Sequence, residues 1–358
     1  MARIDAFLKL GLAQGCSDIH LAVGVPPMLR MSGDLLPIKF RNLTSTELDS
    51  YINEILNEVQ IKEFNNGNDV DFSYVTEQGT RFRANVFRKT SGSGAVFRFI
   101  PTEVPTLEKL NLPPIIQKLT NYHQGMILVT GATGTGKSTT LAAMIDHMNA
   151  NRAINILTLE DPIEFVHPSK QAQVIHREVG THVNSFSHGL RAALREDPDV
   201  ILVGELRDEE TITLAMEAAE TGHLVLGTMH TTTAVKTIDR VIDALPGEKR
   251  EQAKMFLATS LKGVISQVLC KTAEGRGRQA ALEIMVPNRA ISKLIMEDKI
   301  HMIKSQLQTG KEDGMQLLDQ HLMQLVENKV IDPDDAYIYA QEKGPFERYA
   351  SPDVITPE

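Results

Sequence analysis

Cysteine is scarce: Cys16 and Cys270 are the only two in 358 residues. Two thiols so far apart cannot supply a four-ligand zinc cluster. They also make no disulfide framework, which points to a reducing compartment and to buried or surface thiols. No apolar run approaches the roughly 18 residues of a membrane-spanning helix. Asp5 and Lys9 interrupt the N-terminus where a secretory signal would be apolar. The expectation is a soluble, cytoplasmic protein. A basic surplus is missing too, the formal net charge being −9. That disfavours a general nucleic-acid binder, which needs a basic face, and leaves only a local basic channel open. No internal repeat or low-complexity tract is visible.

What is present is an ordinary globular composition, 42% hydrophobic and 23% charged, in a chain long enough for two cores. Residues 1–15 fit a short helix ended by Gly15, with Ile4, Phe7, Leu8 and Leu12 on one side. Short alternating segments follow. Thr44 and Glu47 then stand at capping-box spacing before a helical pattern that runs to Phe64. Residues 71–74, 80–88 and 94–100 read as antiparallel strands. This predicts an α+β domain over residues 1–100. Pro101, Pro105, Pro113 and Pro114 punctuate a linker at 101–112. From 113 to 287 strands alternate with helices, predicting an α/β domain with a doubly wound, mainly parallel sheet. Its strands are expected at 126–130, 154–159, 172–176, 200–204 and 223–229, and its helices at 137–149, 185–196, 208–221 and 234–244. A C-terminal helical region covers 288–358.

The sharpest motif is Gly131-Ala132-Thr133-Gly134-Thr135-Gly136-Lys137-Ser138-Thr139, directly behind the apolar run Met126-Ile127-Leu128-Val129. A strand, a glycine-rich turn and a helix opening at Lys137 form the context of a phosphate-binding loop. Gly134, Thr135 and Gly136 would turn backbone N–H groups onto phosphate oxygens, helped by the helix N-terminus that continues through Thr139. Lys137 would reach the β- and γ-phosphates of ATP, and Ser138 would ligate Mg²⁺. A loop that is glycine-rich only for turning does not explain why Lys and Ser follow.

Other segments add chemistry. Val200-Ile201-Leu202-Val203 is a buried strand that ends in Gly204-Glu205. Glu205 could polarise an attacking water; the plainer reading is a surface glutamate opening a helix. The Mg²⁺-directed Asp common at such a strand end is absent, Gly204 standing in its neighbourhood. Glu160, Asp161 and Glu164 cluster behind another strand and suit Mg²⁺ through coordinated water, or else form a solvated turn. His230 is expected at the sheet's C-terminal edge, where its N–H could sense a γ-phosphate, whereas His223 at the opposite end reads as structural or interfacial. The remaining histidines read as surface groups. Arg81 and Arg83 share one face of a strand and Phe82 the other. The two cations either stay solvated or join an anion such as a transferring phosphate, where an arginine accelerates reaction by about 10³–10⁵.

These residues resemble the type II/IV secretion ATPases, and within them the branch that retracts type IV pili. The likeness runs from about Ser17 to Leu325. Ser17-Asp18-Ile19-His20-Leu21 with Pro26-Pro27 and Arg30 is similar to the opening of the family's PAS-like N-terminal domain. Residues 160–164 resemble its Asp box, 200–208 its Walker B and 221–231 its His box; Gly204-Glu205 is similar to the family's own Walker B. The resemblance implies a RecA-like core, a homohexamer with ATP sites between subunits, and Arg81 and Arg83 completing a neighbour's site. It also implies an inner-membrane platform protein as partner, docking at the base of the pilus, and no nucleic-acid partner. Assembly motors of the superfamily look longer at the N-terminus and carry a tetracysteine zinc element, so retraction and twitching motility are the expectation. One element departs: Ala290-Ile291-Ser292 has Ser where the retraction branch usually shows Arg, and Met296 replaces a commonly basic position. This leaves room for an accessory paralogue or for work beside a paralogous retraction ATPase. A P-loop DNA motor and a nucleotide-switched interaction module are the alternatives from other classes.

Overall fold

The computed structural model describes residues 2–31, 34–100, 103–275 and 277–355. Met1 of the expected first helix and Pro101 of the expected linker lie outside the described residues, as do residues 356–358 of the expected C-terminal region. Two compact units emerge, one of Met1–Glu103 with Pro162–Val166, the other of Val104–Asp161 with His167–Glu358.

In the first unit, helix α1 (Asp5–Ala13) leads into β1 (Asp18–Ala22), β2 (Met28–Met31) and β3 (Asp34–Pro37). Helices α2 (Ser45–Asn53) and α3 (Glu58–Asn65) follow, then β4 (Val70–Val75), β5 (Arg81–Lys89) and β6 (Gly92–Phe99). The strands form one antiparallel sheet in the order β3-β2-β1-β6-β5-β4. Period-two alternation decides which face is buried: along β5, Phe82, Ala84 and Val86 point inward. They meet Ile4 just before α1, Leu8 of α1, and Leu48 and Ile52 of α2 in a single core. The helical pattern of residues 44–64 is two helices rather than one. Thr44 and Glu47 do form the expected capping box. Asn57 then opens a second one, its side chain accepting from Val59 N and Gln60 N while Gln60 reaches back, so the chain restarts there.

The second unit begins with Leu107, Leu110 and Leu112 packed against the core and a short helix α4 (Pro114–Leu119). Then β7 (Gly125–Thr130), α5 (Lys137–Asn151), β8 (Asn155–Glu160), β9 (Gln173–Glu178) and α6 (Phe186–Ala193) alternate. They are followed by β10 (Val200–Val203), α7 (Glu209–Glu220), β11 (Leu224–Met229), α8 (Ala234–Asp243) and α9 (Arg250–Ser260). Strands β12 (Leu261–Lys271) and β13 (Arg278–Met285) complete the sheet, in the order β13-β12-β7-β11-β10-β8-β9. All pairings are parallel except β12 with β13. The expected parallel sheet is therefore present, extended by a hairpin that the strand expectations stopped short of. Every residue of β7 and β11 is buried, as strands covered on both faces require.

Helices α10 (Arg289–Met296), α11 (Ile303–Thr309), α12 (Leu318–Glu327) and α13 (Pro333–Tyr339) form the C-terminal region. Part of it protects the β13 edge. Gln316 makes an antiparallel bridge with Ile284, and the Leu282 N–H donates to His321 Nδ1 at 3.0 Å. His321 is thus a buried acceptor, not a surface group.

Truncating Phe82, fully buried with ring centroids 6.0 Å from Phe99 and 6.5 Å from Phe97, tests the first core. Phe82→Ala should cost about 3–5 kcal/mol, read as faster hydrogen exchange of β5 and β6 amides in the full-length chain.

Candidate nucleotide site

Beyond Thr130 the chain turns through Gly131, Gly134 and Gly136, with φ of 146°, 82° and 86°. The left-handed backbone at 134 and 136 explains glycine there. Space adds a second reason at Gly131, where a Cβ would stand 2.5 Å from the Gln267 carbonyl oxygen. Gly136 precedes α5 with no side-chain cap. The first turn of α5, with the N–H groups of Ser138 and Thr139, therefore lies at the positive end of the helix dipole without a side-chain cap. Lys137 is buried and folds over the loop, its Nζ donating to the carbonyls of Gly131 at 2.9 Å and Ala132 at 3.0 Å. A cation above a helix N-terminus fits a polyphosphate.

Because β7, β11, β10 and β8 run parallel, their C-terminal ends share one edge of the sheet. There the structure brings Glu205 and His230 together: His230 Nε2 lies 3.0 Å from Glu205 Oε1, and Arg207 Nε lies 2.5 Å from the same oxygen. Arg207 thus joins the cluster from the residue two beyond Glu205, a contact with no motif signal in the sequence. Gly204 owes its identity to crowding. A Cβ there would sit 3.2 Å from the Leu159 carbonyl and 3.3 Å from Glu160 Cα. Any side chain here would press on the backbone of β8, which favours glycine at this strand end.

Glu160 ends β8 partly buried, and its partner is a histidine. His176 Nδ1 stands 3.6 Å from Glu160 Oε1 and 2.9 Å from Thr158 Oγ1. Its Nε2 accepts the His167 backbone N–H at 3.0 Å, which fixes the proton on Nδ1. His167 stacks on it with centroids 5.7 Å apart, buried at 4% exposure. Histidines 167 and 176 therefore correct the expectation of surface groups. Spacing could not show this, because β9 and the turn before it are folded together only by tertiary structure. His223 is structural as expected, its Nδ1 2.9 Å from the Ala218 carbonyl. Asp161 is exposed beyond Glu160, and the exposed Glu164 belongs to the segment grouped with the first unit. Among the described residues, no three His, Cys, Asp or Glu side chains are grouped to hold a metal by themselves.

In the first unit, Arg81 is half-buried and Arg83 exposed on the outward face of β5. Arg83 stands opposite Arg98, which pairs with the buried Asp18 at 2.7 Å. Arg98 is thus neutralised by its own carboxylate, and the positive charge of this face is that of Arg81 and Arg83.

Fold and site define a P-loop nucleotide-binding protein with a RecA-like core. The family model described as "Type II/IV secretion system protein" matches residues 3–332, and the chain belongs to that family. It is 49% identical to a type IV pilus retraction ATPase, PilT, of Pseudomonas aeruginosa, over 93% of this chain and 96% of that protein. Identity to the type IV pilus ATPase PilU of the same organism is 37%, over 94% of this chain and 88% of that one. A crystal structure of the pilus retraction motor PilT with bound ADP superposes with a TM-score of 0.90 at 41% identity, covering 97% of this chain and 99% of that one.

Burial and the neighbouring His176, opposed in part by Glu160 and Asp146, push the His167 pKa down to about 4. The unfolded chain, with an ordinary value near 6.5, binds the proton first as pH falls. Stability should therefore decline as pH drops from about 6.5 to about 4, by at most about 3 kcal/mol. His167→Gln should flatten that limb in denaturant titrations across the range.

Proposed function

We propose that this protein is a Mg²⁺-dependent ATPase that powers retraction of type IV pili, working as a homohexamer docked at the inner-membrane base of the pilus. The observation that carries the reading is the convergence of the phosphate loop and the Glu205–His230 pair at one sheet edge. The likeness to PilT over nearly the whole of both chains supports the direction of force. Among the described residues no helix is long and apolar enough to cross a membrane, so docking rests on a platform protein in the membrane.

In this reading the N–H groups of Gly134, Thr135, Gly136 and Thr139 with Lys137 bind the phosphates. Ser138 and Asp161 hold Mg²⁺, which when bound neutralises charge on phosphate oxygens. Glu205 is the base. Arg207 and His230 both contact its Oε1, which leaves Oε2 to orient water. His230 bonds to Glu205 and senses the γ-phosphate. Glu160, held by His176, and Glu164 organise the metal side. Arg81 and Arg83 of a neighbouring subunit stabilise the charge of the transferring phosphoryl group.

A second reading, an accessory motor beside a paralogous retraction ATPase, is favoured by α10. Ser292 donates to the Ala258 carbonyl at 2.6 Å, and Met296 is exposed where a cation is usual. If Ser292→Arg leaves retraction by the chain alone unchanged, that reading falls.

Glu205→Gln should keep ATP binding and lose about 10²–10⁴-fold in turnover; phosphate release near the wild-type rate would remove Glu205 from the mechanism. Mixing Arg81→Ala subunits with Lys137→Ala subunits should restore part of the activity that each lacks alone. No recovery in the mixture would count against a shared site. Deleting the gene should leave cells with abundant surface pili and no twitching, whereas bald cells would indicate assembly.

A further inference from the structure

Gln267 lies on β12, 2% exposed, with its carboxamide wedged between two parts of the phosphate loop. Its Nε2 donates to the Thr135 carbonyl at 2.5 Å, and its Oε1 accepts from Thr140 Oγ1 at 2.9 Å. One residue earlier, Ser266 Oγ meets Thr130 Oγ1 at 2.7 Å. The strand also crowds the loop's glycines: a Cβ on Gly136 would stand 3.2 Å from Gln267 Nε2. β12 therefore holds the loop at its entry, at its last turn and at the first turn of α5.

One peptide plane joins the Thr135 carbonyl to the Gly136 N–H, and in a trans peptide the two point in opposite directions. Fixing the carbonyl toward β12 aims that N–H away from β12. Gly136, at φ 86°, is the residue least able to resist a flip of this plane. A flipped plane would turn a carbonyl toward a bound phosphate. The Thr135 carbonyl, which can only accept, selects the orientation of the amide, since an inverted Gln267 would set oxygen against oxygen; the Thr140 hydroxyl, donating to Oε1, anchors it there.

Building on the nucleotide-binding reading above, we infer that Gln267, anchored by Thr140, is a positioning residue that locks the Thr135–Gly136 peptide so that the Gly136 N–H serves a polyphosphate. The lock favours nucleotides that carry a β-phosphate over monophosphates.

The test uses the full-length protein with MgADP and AMP, each titrated by competition against a fluorescent ADP. Gln267→Met keeps length and loses both hydrogen bonds. It should weaken MgADP by roughly three- to tenfold, the scale of a lost hydrogen bond, and leave AMP within about twofold, so the ADP-to-AMP preference falls. Thr140→Val should lower the preference less and add nothing in the Gln267→Met background, since the two act as one unit. Should Gln267→Met fail to fold, Thr140→Val alone decides, an unchanged preference overturning the lock. Equal losses for ADP and AMP, or additive losses in the double variant, would also overturn it and leave Gln267 a packing residue. A wild-type protein that binds no ADP would overturn the nucleotide reading and the lock together, whereas normal ADP binding with an indifferent variant overturns the lock alone.

Discussion

Strand β7 is paired on both sides by parallel neighbours, β11 and β12, and the candidate site depends on that pairing. In a parallel sheet every strand ends at the same edge, so the chain leaving β7, β11, β10 and β8 delivers its loops to one crevice. A register slip of one residue would reverse which face each side chain occupies. Glycines secure the fit at close quarters. Gly204 admits the backbone of β8, and Gly227 leaves room for Leu206, which a Cβ would meet at 2.7 Å. Glu205 is aimed because its two neighbours are held in this way.

The β12–β13 hairpin joins the two halves of the site. In its register Ser266, which bonds to Thr130, lies opposite Glu283. The buried Glu283 accepts the Ala234 N–H at 2.7 Å, at the first turn of the helix that follows His230. Burial pushes its pKa up, and the Ala234 hydrogen bond opposes that shift. The same hairpin receives the C-terminal helices, whose His321 accepts from Leu282. The helical region therefore covers an otherwise open sheet edge and bears directly on the strands that hold the phosphate loop.

Much of this was legible in residue order. The phosphate loop is contiguous, so its glycines, Lys137 and Ser138 are visible in one stretch, and apolar runs announce buried parallel strands. Glu205 and His230 could be placed at strand ends because strand direction follows from alternation with helices. What escaped were partners supplied from far along the chain. Gln267 stands 132 residues from Thr135 and gives no local signal, since a single glutamine in a strand reads as an exposed polar residue. His176 and His167 carried no ligand spacing, yet burial and a shared hydrogen bond make them a pair. The helix break before Asn57 was missed because apolar spacing ran on across it, while the capping side chain stopped it.

The sequence by itself determined the class of chemistry, because a phosphate loop is built mainly from the backbone of consecutive residues and needs glycine, lysine and serine in order. It also determined the division into an antiparallel and a parallel sheet, through period-two alternation in one part and strand–helix alternation in the other. Only the tertiary structure decided which groups hold that loop in place, which oxygen of Glu205 is occupied, and how closely β8 approaches Gly204. Those depend on distances between segments remote in the chain, and such distances exist only once the sheet has closed around β7.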